Sequence, residues 1–230
     1  MAKPLIQFAL DSLDFDATVR LAGLAAPHVD ILEIGTPCLK YNGIAIVKTL
    51  RAAHPDKLIL ADLKTMDAGY YEAEPFYKAG ADICTVLGTA DTGTIKGVID
   101  VANAYGKQAQ VDLLNVADKT ARAKEVVKLG AHILGIHTGL DQQAAGQTPF
   151  ADLAAIAGLG LNAKISVAGG VKAATIQQVV KAGANLVVVG AAIYGADSPA
   201  AAAAELRALA DSAAGGGGGG LFGWLKKLLG

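Results

Sequence analysis

The chain has 230 residues, a formal net charge of −1, and a composition that is 53% hydrophobic but only 5% aromatic. A near-neutral chain without a long basic stripe argues against a nucleic-acid partner, and apolar runs that end within about eight residues are too short to cross a bilayer. Two cysteines, Cys38 and Cys84, stand among apolar residues and predict buried thiols without a disulfide framework. With no signal-peptide pattern at the N-terminus, we expect a cytoplasmic protein.

Short runs rich in Val and Ile alternate with longer helical patterns along residues 1–214. Their continuous hydrophobicity is typical of parallel strands that are covered on both faces. Eight strands are predicted, at Leu5–Leu10, Val29–Ile34, Leu58–Leu63, Ile83–Leu87, Gln108–Leu114, Ile133–His137, Ile165–Ala168 and Leu186–Gly190. Eight strand–helix units in this length predict an α/β fold, a single-domain (β/α)8 TIM barrel. An open doubly wound sheet is the alternative, but no glycine-rich dinucleotide fingerprint follows the first strand.

A faint internal repeat supports one βα unit used several times. Residues 78–83, 128–133 and 181–186 each contain a lysine, a glycine two positions later, an alanine, and then the start of a predicted strand. The lysine suits the last turn of a helix, and the glycine suits the left-handed conformation that ends it. Ser198 and Pro199 predict the N-cap and first position of a closing helix.

Polar residues that would be unusual in a core collect at the predicted carboxyl ends of the strands. In a barrel of this kind the active site lies at that end. The ionisable residues among them are Asp11, Glu33, Asp62, Lys64, Asp112 and His137. Ordinary surface charges would be spread over the helices and both barrel ends, so this pattern predicts a catalytic rim.

The third predicted strand contains the motif Asp62-x-Lys64-x-x-Asp67. In an extended strand Asp62 and Lys64 point to the same face, which is the inside of a barrel. A carboxylate and an ammonium enclosed together are costly unless each has a partner or a task; an ordinary ion pair at a strand end is the alternative. Glu33 on the neighbouring strand adds a second carboxylate. Two carboxylates, completed by water and substrate, suit Mg2+ or Mn2+ better than zinc.

Two further features at the rim point to a phosphorylated substrate and to proton transfer. His137 closes the sixth strand, where it can move a proton near neutral pH or serve as a structural histidine. Strands seven and eight end in Gly169-Gly170 and Gly190-Ala191. Backbone N–H groups at such glycines form the usual phosphate site of a barrel, with simple tight turns as the alternative.

Asp11, Glu33, the motif Asp62-x-Lys64-x-x-Asp67 and the glycine-rich ends of strands seven and eight are similar to the site residues of the orotidine 5′-phosphate decarboxylase suprafamily. The chain resembles that suprafamily over residues 1 to about 211. The segments 33–37 and 135–139 are similar to aldolases of its metal-dependent branch. The 3-keto-L-gulonate-6-phosphate decarboxylases of the same branch typically carry Glu, Arg, Thr and Arg where this chain has Asp112, Leu140, Ala168 and Ala191.

The resemblance implies aldol addition of formaldehyde to D-ribulose 5-phosphate, with Mg2+ on Glu33 and Asp62 and an enediolate stabilised beside Lys64. His137, or its rival Asp67, would move the proton. The implied substrate-binding residues are Asp11, Asp112, Gly170, Gly190 and Ala191. Family members place the last Asp of the motif in the partner's active site, which implies a homodimer with Asp67 acting across the interface. A decarboxylase, or a barrel kept as a scaffold to display its C-terminal peptide, is the alternative.

The C-terminal segment differs in composition from the rest of the chain. Residues 215–220 are six consecutive glycines, which predict a flexible linker. Residues 221–230 place apolar side chains at helical spacing with Lys226 and Lys227 facing away. A uniform linker before a basic amphipathic peptide is typical of an engineered tag. We expect the peptide to self-associate, with binding to an anionic membrane surface or a native terminal helix as the alternatives.

Overall fold

The computed structural model describes residues 3–215, which form a closed barrel of eight parallel strands in sequence order. The strands are β1 (Leu5–Leu10), β2 (Ile31–Ile34), β3 (Leu58–Thr65), β4 (Ile83–Leu87), β5 (Gln108–Asp112), β6 (Ile133–His137), β7 (Lys164–Ala168) and β8 (Leu186–Val189). All eight predicted strands are present, and no end differs from its prediction by more than about two residues. The predicted (β/α)8 barrel is therefore confirmed.

Helices follow the strands and cover the outside of the barrel. They are α1 (Phe15–Ala25), α2 (Thr36–Asn42), α3 (Ile44–Ala53), α4 (Gly69–Lys78), α5 (Thr92–Ala104), α6 (Lys119–Lys128), α7 (Leu140–Ala144), α8 (Phe150–Ala157), α9 (Ala173–Lys181), α10 (Ala191–Tyr194) and α11 (Pro199–Gly215), with a short 3-10 helix at Ala26–His28. Within residues 3–215, none of them combines the length and the apolar character that a membrane crossing requires.

The closing helix α11 begins where the sequence predicts. Pro199 is its first residue, and the Ser198 hydroxyl accepts a hydrogen bond from the backbone N–H of Ala201 at 3.4 Å. The helix ends at Gly215, the first of the six glycines. The rest of the predicted linker and the peptide 221–230 lie outside the described residues.

The barrel interior changes from apolar to polar along the strand direction, and this change positions the site. Near the amino ends of the strands, a separate apolar cluster fills the interior, formed by Ile31, Leu60, Ile83, Ile133 and Leu186. Side chains repeat with period two along a strand, so the next inward residues on β2 and β3 are Glu33 and Asp62. An apolar floor therefore closes one end of the barrel, and the charged residues stand above it.

The internal repeat has a structural counterpart at the amino ends of the strands. The residue immediately before each even-numbered strand accepts a hydrogen bond from the second backbone N–H of the preceding strand. The pairs are Asp30 with Ile6 (2.8 Å), Asp82 with Ile59 (2.9 Å), His132 with Ala109 (3.1 Å) and Asn185 with Ile165 (2.7 Å). The glycines of the three repeat copies have the expected positive φ, between 100° and 111°. One polar side chain thus joins each odd strand to its successor.

Candidate active site

The motif of the third strand lies on a bulge. Ala61 pairs with Cys84 and Thr65 with Val86, so three residues of β3 face the single residue Thr85 of β4. Within this bulge Lys64 has φ of +48°, a left-handed conformation that is uncommon outside glycine. The sequence prediction assumed an extended strand here, and that detail is wrong. The side chains of Asp62 and Lys64 still meet, because the bulge turns the backbone between them.

Asp62 is enclosed and held on both carboxylate oxygens. It is 7% exposed; Oδ1 accepts from the Thr85 hydroxyl at 2.7 Å, and Oδ2 lies 2.8 Å from the Thr36 hydroxyl and also contacts Lys64 Nζ. Burial by itself raises the pKa of Asp62, but the Lys64 charge and these hydrogen bonds outweigh it and lower the pKa. Asp62 is therefore a carboxylate at neutral pH.

Lys64 connects the motif on β3 to Asp112 at the end of β5. Burial lowers the pKa of its ammonium, but the charges of Asp62 and Asp112 outweigh burial and raise that pKa. The Nζ atom donates to the Thr36 hydroxyl at 3.1 Å and lies 4.0 Å from Oδ2 of Asp112. A cation that is permanently charged and shared between two carboxylates is well placed to stabilise a developing oxyanion.

Asp112 and His137 form a hydrogen-bonded pair beside Lys64. His137 Nδ1 lies 2.8 Å from Oδ2 of Asp112, and the other oxygen of Asp112 accepts from the backbone N–H of Leu114 at 2.9 Å. Burial lowers the pKa of His137, but the hydrogen bond to Asp112 and its negative charge outweigh burial and raise the pKa. In the neutral ring the Nδ1–H donates to Asp112, which leaves Nε2 as the basic nitrogen.

Glu33 is a buried carboxyl of the rim with a strongly raised pKa. It is 8% exposed, and burial followed by repulsion from Asp62 raises its pKa to about 8. Gln7, fully buried on β1, donates from Nε2 to Oε2 of Glu33 at 2.7 Å. The Gln7 Oε1 atom is buried and finds no hydrogen-bond partner among residues 3–215.

The composition of the rim suits a hard divalent cation. Glu33 and Asp62 stand on adjacent strands, and their mutual repulsion is one reason for the high pKa of Glu33. A cation between them would remove that repulsion. In the described part of the chain, no three His, Cys, Asp or Glu side chains are grouped so that they could hold a metal by themselves. Two carboxylate ligands, with the remaining coordination positions left to water and substrate, match the coordination preference of Mg2+.

Asp11 follows β1 directly and packs against the start of α2. Desolvation at the barrel mouth raises the pKa of Asp11, with Asp62 acting in the same direction and Lys64 opposing. A Cβ atom added to Gly35 would lie 2.0 Å from Oδ1 of Asp11. The carboxylate of Asp11 therefore depends on the absence of a side chain at residue 35.

The glycines after β7 and β8 bring backbone close to the barrel mouth. Gly169 and Gly170 both have positive φ, 113° and 67°, which side chains rarely tolerate. A Cβ on Gly169 would lie 2.5 Å from the carbonyl oxygen of Thr138, after β6. Gly190 and Ala191 stand at the junction of β8 and α10. Both glycine segments lie at the carboxyl ends of their strands, as predicted.

Asp67 does not join the other site residues within one chain. Its side chain is exposed, and its carboxylate accepts from the backbone N–H of the next residue, Ala68, at 2.7 Å. The large apolar side chains around it are also exposed: Met66 is 53%, Tyr70 45% and Tyr71 83% accessible. The structure thus brings together Asp11, Glu33, Asp62, Lys64, Asp112 and His137 but leaves Asp67 on the surface.

Three residues that contact the charged groups are absent from the sequence prediction, namely Gln7, Thr36 and Thr85. Gln7 carried a signal, since it is a polar residue at an inward position of an otherwise apolar strand. Thr36 and Thr85 give little signal in the sequence, because threonine is common in strands and at the first turn of helices. Their roles depend on which strands are neighbours.

The chain is similar to known proteins over most of its length. The profile of the orotidine 5′-phosphate decarboxylase / HUMPS family matches residues 4–206. The chain is 73% identical over 206 residues to a 3-hexulose-6-phosphate synthase of Methylomonas aminofaciens, covering 90% of this chain and 99% of that protein.

Solved structures give the same relationship. A crystal structure of a 3-hexulose-6-phosphate synthase is 48% identical, with a TM-score of 0.84, and the match covers 89% of this chain and 99% of that one. A 3-keto-L-gulonate-6-phosphate decarboxylase from Vibrio cholerae is 29% identical, with a TM-score of 0.80, over 91% and 98% of the two chains. The similarity is therefore greater to the synthases than to this decarboxylase.

Proposed function

Because the chain belongs to the orotidine 5′-phosphate decarboxylase / HUMPS family, we propose that it is an enzyme with the activity of the 3-hexulose-6-phosphate synthases it resembles. It joins formaldehyde to D-ribulose 5-phosphate and forms D-arabino-hex-3-ulose 6-phosphate. The observation that carries the proposal is the continuous polar network from Asp62 through Lys64 and Asp112 to His137, set on three strands above an apolar floor.

The reaction needs one carbon–hydrogen bond broken and one carbon–carbon bond formed. A base removes a proton from carbon one of the sugar phosphate, and the electron pair moves onto the ketone oxygen to give an enediolate. Carbon one then attacks formaldehyde, whose oxygen takes up a proton. The ammonium of Lys64, held between Asp62 and Asp112, stabilises the negative oxygen that forms in the first step.

His137 is the proposed base for that proton. Its Nδ1 bond to Asp112 fixes the ring and leaves Nε2 as the basic nitrogen. Asp67 is the alternative base. It would reach a substrate only in the site of another copy of the chain. Asp11 and the second oxygen of Asp112 hold sugar hydroxyls or a water molecule in this proposal.

A divalent cation, Mg2+ or Mn2+, completes the proposed site on Glu33 and Asp62. When bound, it would act as a Lewis acid toward the ketone and the neighbouring hydroxyl. Support comes from the acid–base balance of the rim, where four carboxyl groups (Asp11, Glu33, Asp62 and Asp112) face one lysine and one histidine. Burial is the larger cause of the high pKa of Glu33, and repulsion from Asp62, which a cation would neutralise, is the second.

The substrate phosphate is proposed to bind the backbone N–H groups at Gly170, Gly190 and Ala191. A homodimer, with Asp67 acting in the site of the partner subunit, is supported by the exposed apolar side chains of Met66, Tyr70 and Tyr71 beside that residue. A cytoplasmic location is supported by the free, buried thiols of Cys38 and Cys84.

The experiment that tests the function follows formaldehyde consumption with D-ribulose 5-phosphate and Mg2+, with and without a chelator. We expect consumption that requires the sugar phosphate and stops with chelator. A parallel assay offers 3-keto-L-gulonate 6-phosphate and measures CO2 release. Decarboxylation without formaldehyde consumption would overturn the proposal in favour of the decarboxylase, and inactivity in both assays would favour the scaffold.

A further inference from the structure

Thr85 stands opposite the bulge of β3, and its hydroxyl contacts both charged residues of the motif. Its Oγ1 lies 2.7 Å from Oδ1 of Asp62 and 2.9 Å from the backbone nitrogen of Lys64. The residue is 1% exposed, so water does not compete for either bond. No other residue connects the Asp62 carboxylate with the Lys64 backbone among the hydrogen bonds of residues 3–215.

The chemistry of the three groups fixes the direction of both hydrogen bonds. A backbone N–H can only donate, so the Thr85 oxygen must accept from Lys64. The single hydroxyl proton is then free for the Asp62 carboxylate, which can only accept. The single hydroxyl oxygen of Thr85 therefore links the backbone of Lys64 to the carboxylate of Asp62 and fixes one relative to the other.

The bulge explains why this hydroxyl is needed. The register shifts between Ala61 and Thr65 and interrupts the ladder between β3 and β4, and within this segment the Lys64 N–H donates to the Thr85 hydroxyl. Lys64 also holds the left-handed φ of +48°, a strained conformation that persists only when neighbouring contacts enforce it. Thr85 therefore supplies a side-chain hydrogen bond to β3 where the backbone ladder is interrupted.

We infer that Thr85 is a positioning residue for the proposed aldol reaction, whose hydroxyl holds the Asp62 carboxylate and the Lys64 backbone in one fixed geometry. Its effect on rate rests on the proposed function, whereas its effect on the bulge does not. Thr85 touches neither the substrate nor the reacting atoms in this account. It acts through the two residues that do.

The decisive comparison is Thr85→Ser against Thr85→Ala, because both remove the methyl group and only the serine keeps a hydroxyl. Thr85→Val adds a variant of nearly the original shape. We expect the alanine and valine variants to lose about 10- to 100-fold in kcat, the usual effect of removing an outer partner of a site group, with a smaller change in KM. The serine variant should keep kcat close to that of the parent.

Thr65→Val is the matched control. Thr65 lies on β3 at the end of the bulge, is as buried as Thr85, and its hydroxyl finds no partner among residues 3–215. We expect the parent kcat from this variant. A loss as large as that of Thr85→Val would mean that any change at the bulge is harmful, and would overturn the inference.

Hydrogen exchange at the Lys64 amide provides a readout that does not depend on turnover. We expect faster exchange in Thr85→Ala and Thr85→Val than in the parent and in Thr85→Ser. Equal exchange in all four proteins, or equal kcat for the alanine and serine variants, would overturn the inference. If the parent itself consumes no formaldehyde, the proposed function fails, and the exchange rates alone decide whether Thr85 holds the bulge.

Discussion

Oδ1 of Asp11 occupies the space that a side chain at Gly35 would need, since an added Cβ would come within 2.0 Å of it. Gly35 has φ of −63°, which any residue can adopt. The glycine is therefore required for the close approach of the carboxylate and not for the backbone conformation.

Gly35→Ala should displace the Asp11 carboxylate while the barrel remains folded. We expect kcat/KM for the sugar phosphate to fall by up to about 100-fold, the scale of an ångström-sized misplacement of a site group. Gly23→Ala on α1 is the control, because a Cβ there meets nothing within 4 Å and a helical alanine is favoured over glycine by about 1 kcal/mol. Parent activity in both variants would show that Asp11 is dispensable.

Lys64→Ala should abolish most of the rate without preventing folding. Removing one preorganised charge from a developing oxyanion typically costs about 3 kcal/mol, so we expect kcat to fall on the order of 100-fold or more. Lys96→Ala removes a lysine from an exposed pair with Asp100 on α5 and should leave kcat unchanged. A Lys64→Ala enzyme with near-parent kcat would remove Lys64 from the mechanism.

Glu33 makes the stability of the metal-free protein depend on pH in a predictable direction. Its pKa is about 8 in the folded protein against an ordinary value of 4.5, so the folded state keeps the proton to higher pH than the unfolded chain. Between about pH 5 and pH 8 the metal-free protein should therefore lose stability, on the order of a few kcal/mol, as pH rises.

The comparison with Glu33→Gln isolates this effect. Glutamine stays neutral, so the variant should unfold at a higher temperature than the parent at pH 8 and at a similar temperature near pH 5, measured in chelator. With saturating Mg2+ the parent should instead be stabilised as pH rises, because the cation binds the ionised carboxylate. Identical melting curves of parent and variant at both pH values would contradict the assignment.

The pH dependence of turnover separates the two candidate bases. Asp112 raises the pKa of His137 through its hydrogen bond and charge, and Asp112→Asn removes the charge. If neutral His137 takes the proton, the acid limb of kcat/KM should move to lower pH in this variant. If Asp67 is the base, the limb should stay in place, and Asp67→Asn should eliminate turnover while His137→Gln retains it.

The C-terminal peptide should change assembly and leave the chemistry intact. We expect the full chain to sediment as larger species than a chain ending at Gly215, with equal kcat per site. Co-sedimentation with anionic liposomes tests the membrane alternative. The membrane alternative would be favoured over self-association if the full chain binds the liposomes and the shortened chain does not, and if the full chain forms no larger species when lipid is absent.

The barrel was predictable because its determinants are local. Continuous apolar runs, the glycine that follows the helix in each of the three repeat copies, and the Ser198-Pro199 start of the last helix all depend on neighbouring residues. Polar residues at strand ends could also be placed on one rim from the sequence, since parallel strands in a barrel all point the same way. The rim of charges built from Glu33, Asp62 and His137 follows from that rule alone.

Only the tertiary structure decided how those charges are held. The bulge at Asp62–Lys64 and the left-handed Lys64 depend on the register of β3 against β4, which no property of β3 by itself reveals. The partners Gln7, Thr36 and Thr85 come from two other strands and from the first residue of α2, between 21 and 28 residues away from the groups that they hold. The local sequence determines where a charged residue lies along its strand. The protonation state and the orientation of its side chain depend on atoms that folding brings beside it.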